Sequence, residues 1–357
     1  MLPATMSIIR GGNEVPLVQG QVIVPEGSSE PPTPTTWVKP VIAVGGGPES
    51  TQFTPLNAEI GPILARRSYD SWPLTTFASS AAASDVAAGR HSYWSFKPPT
   101  PLAFMSSPSQ QQTFSNFLDS IPADHEVTIF VHHEPENNMD DFPDIQAWGA
   151  LQNMVADIVH SKNRPTLRFG PCFMGPYTFD TTSPYYQWIN DWQTVMDWSK
   201  FDVIGIDPYA TIYPGTRSLQ RMLTYNNSGA SSTQQNTAMF TFLAQFDIPI
   251  CIAEWGYYRK QPKGHNNSQP PVDPIPESEV ARWIHEAYDW MKVWNQAHPQ
   301  RIEGGKVRGC YIEAASWFNY TLLGSDCPLT GPLSGGSYPL KVAAYGEIVA
   351  DSKIPVA

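Results

Sequence analysis

The sequence predicts a (β/α)8 barrel preceded by a short N-terminal arm, and three observations predict it. Short apolar runs alternate with amphipathic stretches from residue 37 to the end of the chain. Eight such units fill roughly 320 residues, the usual size of this barrel, whereas a doubly wound sheet shows fewer. Polar and aromatic residues collect where the apolar runs finish, the end at which such a barrel builds its site.

Residues 1–36 read differently from the rest. They hold a strand pair around EVPLVQGQVIV, with Gly20 near the turn, and then PEGSSEPPTPTT, where Pro and Ser defeat helix and sheet alike. The expected division is an arm and linker over 1–36 and a barrel over 37–357. The strand runs follow in order: VIAVGG (41–46), ILARRSY (63–69), HSYWSF (91–96) and VTIFVHHE (127–134). TLRFGP (166–171), FDVIGID (201–207), IPICIAEW (248–255) and VRGCYIEAASWF (307–318) complete the set. Between them, Ile145, Trp148, Leu151, Val155, Ile158 and Val159 fall on one helical face. So do Val280, Trp283, Ile284, Ala287, Met291 and Trp294, a Trp-rich face that reads as core.

Composition narrows the function classes. A hydrophobic fraction of 41% with 15% charged residues excludes a disordered chain. Acidic residues exceed basic ones by 33 − 22 = 11, which argues against a nucleic-acid partner. No apolar run approaches about 18 residues, so no spanning helix is expected. Twelve tryptophans suit carbohydrate faces, though a large core uses them too. The four cysteines are too few for a disulfide scaffold; Cys310 with Cys327 is the one pair considered for a bridge. The opening MLPATMSIIRGGNEV has no apolar core of signal-peptide length. That leaves the compartment open, with an extracellular or virion-associated setting favoured over the cytoplasm.

The strand ends carry Arg67 and Asp70, Trp94, His133 and Glu134, Asp207 and Tyr209, Glu254 and Trp255, and Ser316 and Trp317. Glu134 and Glu254 stand out, because each closes a run too apolar to be solvated surface. Burying an ionised carboxylate is costly unless it is paired or hydrogen-bonded. Strands four and seven face each other across an eight-stranded mouth, so the two carboxylates would flank one bond of a bound chain. Glycoside cleavage needs that arrangement, one carboxylic acid to protonate the leaving oxygen and a carboxylate opposite it. The plainer alternative makes each Glu an ion-pair partner of Arg66 or Arg67. Only one of those neighbours can point inward, and Arg67 is preferred.

The constellation resembles the clan of retaining (β/α)8 glycoside hydrolases, whose acid/base ends strand four and whose nucleophile ends strand seven. His133–Glu134 resembles the family 26 mannanase-like branch, where His precedes the acid/base. FDVIGIDPYA resembles the clan's sixth strand, IAEWG the seventh and ASWFN the eighth. The resemblance spans about residues 40 to 350. It implies Glu254 as nucleophile, Glu134 as acid/base, Tyr209 against the nucleophile and Trp317 as a subsite floor. Arg67, Trp94, His133 and Trp255 join them as substrate-binding residues, Trp94, Trp255 and Trp317 being expected as exposed sugar-stacking rings. HEPEN departs from the HEMNG-like mannanase form, and Glu136 rivals Glu134 as the proton donor. Glu313, inside strand eight, reads as structural.

Other chemistries fit poorly. His-Glu-x-x-His fails because Asn137 stands at the second His position and Pro135 breaks the helix. Pro171–Cys172 lacks the second Cys of a zinc deaminase. GGGPES does not complete a dinucleotide loop, and no G-x-S-x-G elbow is present. No metal and no cofactor are expected. The reading is a retaining, endo-acting hydrolase of a polysaccharide or oligosaccharide, its cleft shaped by loops 209–235 and 256–276. Its rivals are a non-catalytic carbohydrate-binding barrel and a depolymerase joined to a larger assembly, such as a phage tail, through the arm.

Overall fold

Eight parallel strands pair in sequence order and close on themselves in the computed structural model, making a (β/α)8 barrel. The structure describes residues 7–10, 13–16, 37–46, 53–98, 100–175, 188–210, 219, 223, 239–257, 275–319 and 338–356. The strands are β1 (Val41–Gly45), β2 (Ala65–Ser71), β3 (His91–Lys97), β4 (Val127–Val131), β5 (Leu167–Phe169, resumed at Cys172–Phe173), β6 (Ile204–Ile206), β7 (Ile250–Tyr257) and β8 (Ile312–Phe318). Each overlaps one of the apolar runs read in the sequence, and the second half of β5 continues past the run at 166–171.

Closure depends on a bend in β5. Its first half pairs β4 and its second half pairs β6. Gly170 lies between the halves, and a Cβ there would come within 1.7 Å of the Val203 carbonyl oxygen. Only glycine permits that approach, so the Gly–Pro break in TLRFGP turns the sheet without ending it.

Helices cover the outside. α1 (Ile145–His160) buries Ile145, Trp148, Leu151, Val155 and Val159; α2 (Glu277–Ala297) buries Val280, Trp283, Ile284, Ala287 and Met291. These are the faces the 3.6-residue period marks. α1 is capped by Asp144, which accepts from the Ala147 N–H at 2.8 Å. α3 (Pro339–Ser352) packs beside α2 and closes the chain.

Two cores result. Between strands and helices lies a large aromatic and aliphatic layer. Inside the barrel, Ala43, Ala65, Tyr93, Phe130, Cys172, Val203, Cys251, Ala253 and Ala314 fill the narrow axis. The Arg168–Glu313 ion pair, 2.7 Å long, lies in this interior, and Tyr93 donates to the same carboxylate at 3.2 Å. Glu313 is therefore a packing residue. Cys172, Cys251 and Cys310 are buried free thiols; Cys327 lies outside the described residues.

The chain divides into two compact units, Met1–Pro34 and Thr35–Ala357. In the first, Ser7–Arg10 pairs antiparallel with Asn13–Pro16. The strand pair thus precedes the segment read in the sequence: Gly11–Gly12 separates its strands, a stronger two-residue hairpin signal than Gly20. Residues 17–24 lie outside the described residues. No helix among those described is long and apolar enough to cross a membrane.

Candidate active site

At the C-terminal exit of β4 the backbone is strained. His132 and Glu134 take left-handed conformations, φ 50° and 54°. That region costs a residue with a Cβ about 1–2 kcal/mol, so surrounding contacts must impose it. Trp148 Nε1 donates to the His132 carbonyl at 2.9 Å, and the Glu134 N–H donates to the Cys172 carbonyl at 2.9 Å. Asn138 Nδ2 donates to the Glu134 carbonyl at 2.7 Å. Held this way, Glu134 faces the mouth. His132 Nε2 meets Asp141 at 3.0 Å; burial, then the charge of Lys97, lowers its pKa to about 4.

A β-bulge delivers the second carboxylate. Along β7 the register against β8 slips by one residue between Ile252 and Trp255. Cys251 and Ala253 pack in the barrel interior, and strict alternation would send Glu254 outward and Trp255 inward. The extra residue reverses that phase, as bulges beside sites do. Glu254 turns into the mouth, where Tyr69 and Tyr209 each donate a hydroxyl to one of its oxygens.

One oxygen from each of Glu134, Asp207 and Glu254 lies within 4.8 Å of the other two. Two anions at that spacing repel by roughly 3–4 kcal/mol at an effective dielectric of about 20. Burial, then the charge of Glu254, raises the Glu134 pKa to about 7. Beneath the cluster, Arg67 is buried, with its guanidinium 4.6 Å from the Phe130 ring centre and Nε 3.3 Å from the Tyr69 hydroxyl. Its Nη1 and Nη2 have no hydrogen-bond partner among the described residues. Burial opposes its charge, but Tyr69, Cys172, Asp207 and Glu254 outweigh it and raise the pKa further. Arg66 points the other way, to Asp85 and the ring of Phe53.

His133 stands beside Tyr69, ring centres 5.8 Å apart. Burial, then the charges of Arg67 and Lys97, pushes its pKa well down, so the ring is neutral. Tyr69, Asp70, Trp72, Ser95, Lys97 and His133 wall a cavity of about 410 Å³. Tyr69 therefore touches both this cavity and the carboxylates. The buried Ser95 Oγ and His133 Nδ1 are without partners among the described residues. The carboxylate trio is the group of metal-ligating side chains close enough to share an ion among the described residues, and the cationic Arg67 beneath it works against cation binding.

The sequence and the structure differ on the tryptophans. Trp94, Trp255 and Trp317 are wholly buried, not exposed stacking platforms. Trp94 stacks on Phe117 at 4.7 Å and donates Nε1 to Asp70 at 2.6 Å. Trp255 and Trp317 pack on each other at 5.2 Å and against Trp283 and Tyr345 of the helical layer. Alternation explains Trp317, since Ser316 and Phe318 take the inward positions of β8. Phe318 sets its edge against Tyr69 at 6.4 Å and Tyr209 at 6.0 Å. Trp317→Phe is expected to lower stability by about 1–2 kcal/mol in denaturant unfolding and leave saccharide affinity intact. Phe318→Ala is expected to weaken binding with a smaller loss of stability.

Tyr69 and Phe318 join the site beyond the residues singled out in the sequence, and Asp207, noted there as a strand-end residue without a role, joins it too. Period two finds them, because each lies two residues from an inward position: Arg67, Tyr209 and Ser316. Glu136, the rival of Glu134, is buried and accepts from the Met174 N–H at 3.0 Å. In the two cleft loops, residues 211–238 apart from Leu219 and Leu223, and residues 258–274, lie outside the described residues.

Three solved structures are similar to this chain. One is a fungal β-1,4-galactanase, at 13% identity over 82% of this chain and 89% of that one, with a TM-score of 0.50. Xylanase 10C of Cellvibrio japonicus matches at 7% identity over 89% and 72%, with a TM-score of 0.52. A Bacteroidetes-affiliated cellulase linked with a polysaccharide utilization locus matches at 12% over 86% and 90%, with a TM-score of 0.45. At these identities the likeness is one of fold, and the first two support the barrel. No protein-family model and no curated protein matches the sequence.

Proposed function

We propose that this protein is a retaining glycoside hydrolase, with Glu254 as nucleophile and Glu134 as acid/base. The observation that carries the reading is the approach of the Glu134 and Glu254 oxygens to within 4.8 Å. The facing oxygens lie nearer than the carboxyl groups as a whole, and so close an approach favours the roughly 5–5.5 Å carboxyl spacing of retaining enzymes over the 6.5–9.5 Å that leaves room for an inverting water. In the first displacement a Glu254 oxygen attacks the anomeric carbon, the bond to the leaving oxygen breaks, and the Glu134 proton passes to that oxygen. In the second, water attacks the same carbon, gives a proton to Glu134 and releases Glu254. Tyr69 and Tyr209 hold the attacking carboxylate in aim.

The two barrels that support the fold are a galactanase and a xylanase, which favours a polysaccharide as the substrate. Endo action and the mannanase-like branch are the finer form of this proposal, the branch supported by the neutral His133 before Glu134. We assign residues 1–36 to an arm that would tether the barrel to a larger assembly outside the cell or on a virion.

Soluble galactan, xylan, mannan and β-glucan form the first panel, with the anomer of the newly released end read by proton NMR within the first minutes. Retention is the expected result; inversion would overturn the mechanism. The pH profile gives a second test. Glu134 must be protonated to begin the reaction, so the rate is expected to fall as pH rises through about 7.

A further inference from the structure

We propose that Asp207 is held as a neutral carboxylic acid and acts as a positioning residue that leaves Glu254 the anion of the site at neutral pH. This role rests on the glycosidase reading for its purpose, but the protonation itself does not.

The hydrogen-bond inventory points to it. Glu254 receives two tyrosine hydroxyls, and Glu134 receives the Asn137 amide at 3.3 Å. Asp207 is the most deeply buried of the three, yet among the described residues it receives only the Cys172 thiol, at 3.4 Å from each oxygen. A thiol is a weak donor. An ionised Asp207 would call for charge-assisted partners. The nearby cation does not supply them, because both terminal nitrogens of Arg67 are unpaired among the described residues.

The charged and titratable groups around Asp207 among the described residues are Arg67 and Tyr69 from β2, Glu134 from the β4 exit, Cys172 from β5, and Cys251 and Glu254 from β7. Three carboxyls thus face one guanidinium. Burial, then the charge of Glu254, drives the Asp207 carboxyl well above the ordinary carboxylate range. A proton resting there spares Glu254 a second adjacent anion, and it keeps Glu134 able to release its own proton.

Infrared difference spectroscopy of protein labelled with 13C at the aspartate side-chain carboxyl tests this without any substrate. At pH 7 the wild type is expected to show a carboxylic-acid C=O band that carries the isotope shift and disappears in Asp207→Asn. Absence of the band in the wild type, or its survival in folded Asp207→Asn, would overturn the proposal. Should that variant not fold, Cys172→Ala replaces it: removing the thiol donor is expected to shift the band, and an unmoved band counts against it. Where turnover is measurable, Asp207→Asn should leave the basic limb of the pH profile in place, since neither side chain carries a charge. If Asp207 were ionised, removing its charge would move that limb to lower pH by a unit or more. The spectroscopic result stands even if no glycan is cleaved, so failure of the glycosidase reading and failure of this one are separable.

Discussion

Replacing Glu254 by Gln is expected to lower turnover by about 10^4-fold or more while leaving saccharide affinity within a few-fold of wild type. The amide matches the carboxylate in volume, so the bulge in β7 and the packing of Trp255 behind it should survive. What is lost is the nucleophile, which no neighbour replaces: Glu134 must carry a proton, and Asp207 lies buried beside the Cys172 thiol. Tyr69 and Tyr209 would meet one amide oxygen and one amide N–H in place of two anionic oxygens, and a tyrosine hydroxyl can accept as well as donate. Kinetics on the best polymer of the panel, with binding followed by isothermal titration, separate the two effects. Glu254→Gly adds a sharper arm, for the space it leaves can admit azide. The expected rescue product is a glycosyl azide of inverted configuration, because a single displacement from the opposite face has replaced two. A Glu254→Gln rate within tenfold of wild type would remove Glu254 from the chemistry.

Why the architecture was legible and part of the site was not follows from how parallel barrels are built. Each strand is covered on one face by helices and on the other by the barrel axis, so it reads as an unbroken apolar run. Run length and spacing therefore reveal eight strands, and strained exits such as VHHE betray themselves by polar residues after VTIFV. The phase of each strand stays hidden, because no solvated face marks which residues point inward. In β2 the phase was available from one inward residue, Arg67, whose neighbours at two-residue intervals include Tyr69. In β7 it was not, since the bulge between Ile252 and Trp255 leaves no mark in IPICIAEW. Glu254 and Trp255 cannot both face the mouth, and the bulge chose the carboxylate. A slip in β8 puts Ala314 opposite Cys251 although Ile312 is opposite Ile250, and it helps send Trp317 to the helices and Phe318 to the mouth.

Glu134→Gln separates the chemistry of the site from its cost to the fold. Without the acid, substrates with a poor leaving oxygen are expected to slow by about 10^2–10^4-fold, and aryl glycosides with a stable leaving anion far less. Such a split is peculiar to a proton donor and would not arise from a residue that only packs. Stability should move in the opposite direction. The Glu134 carboxyl rises from 4.5 to about 7 on folding, so the native state binds its proton more tightly than the unfolded chain does. Stability from this group is fully present below pH 4.5 and is lost as pH rises through 7, by roughly 2–3 kcal/mol once partial solvent access is allowed for. Gln carries no charge at any pH and escapes that loss. Denaturant midpoints should therefore place Glu134→Gln above wild type at pH 8 and level with it at pH 4. A variant less stable than wild type at pH 8 would mean that the charged Glu134 is held by contacts stronger than the Asn137 amide, and that burial beside the Glu254 charge does not raise its pKa. The same burial beside Glu254 that makes Glu134 a usable acid near neutrality is what makes it a liability to the folded barrel.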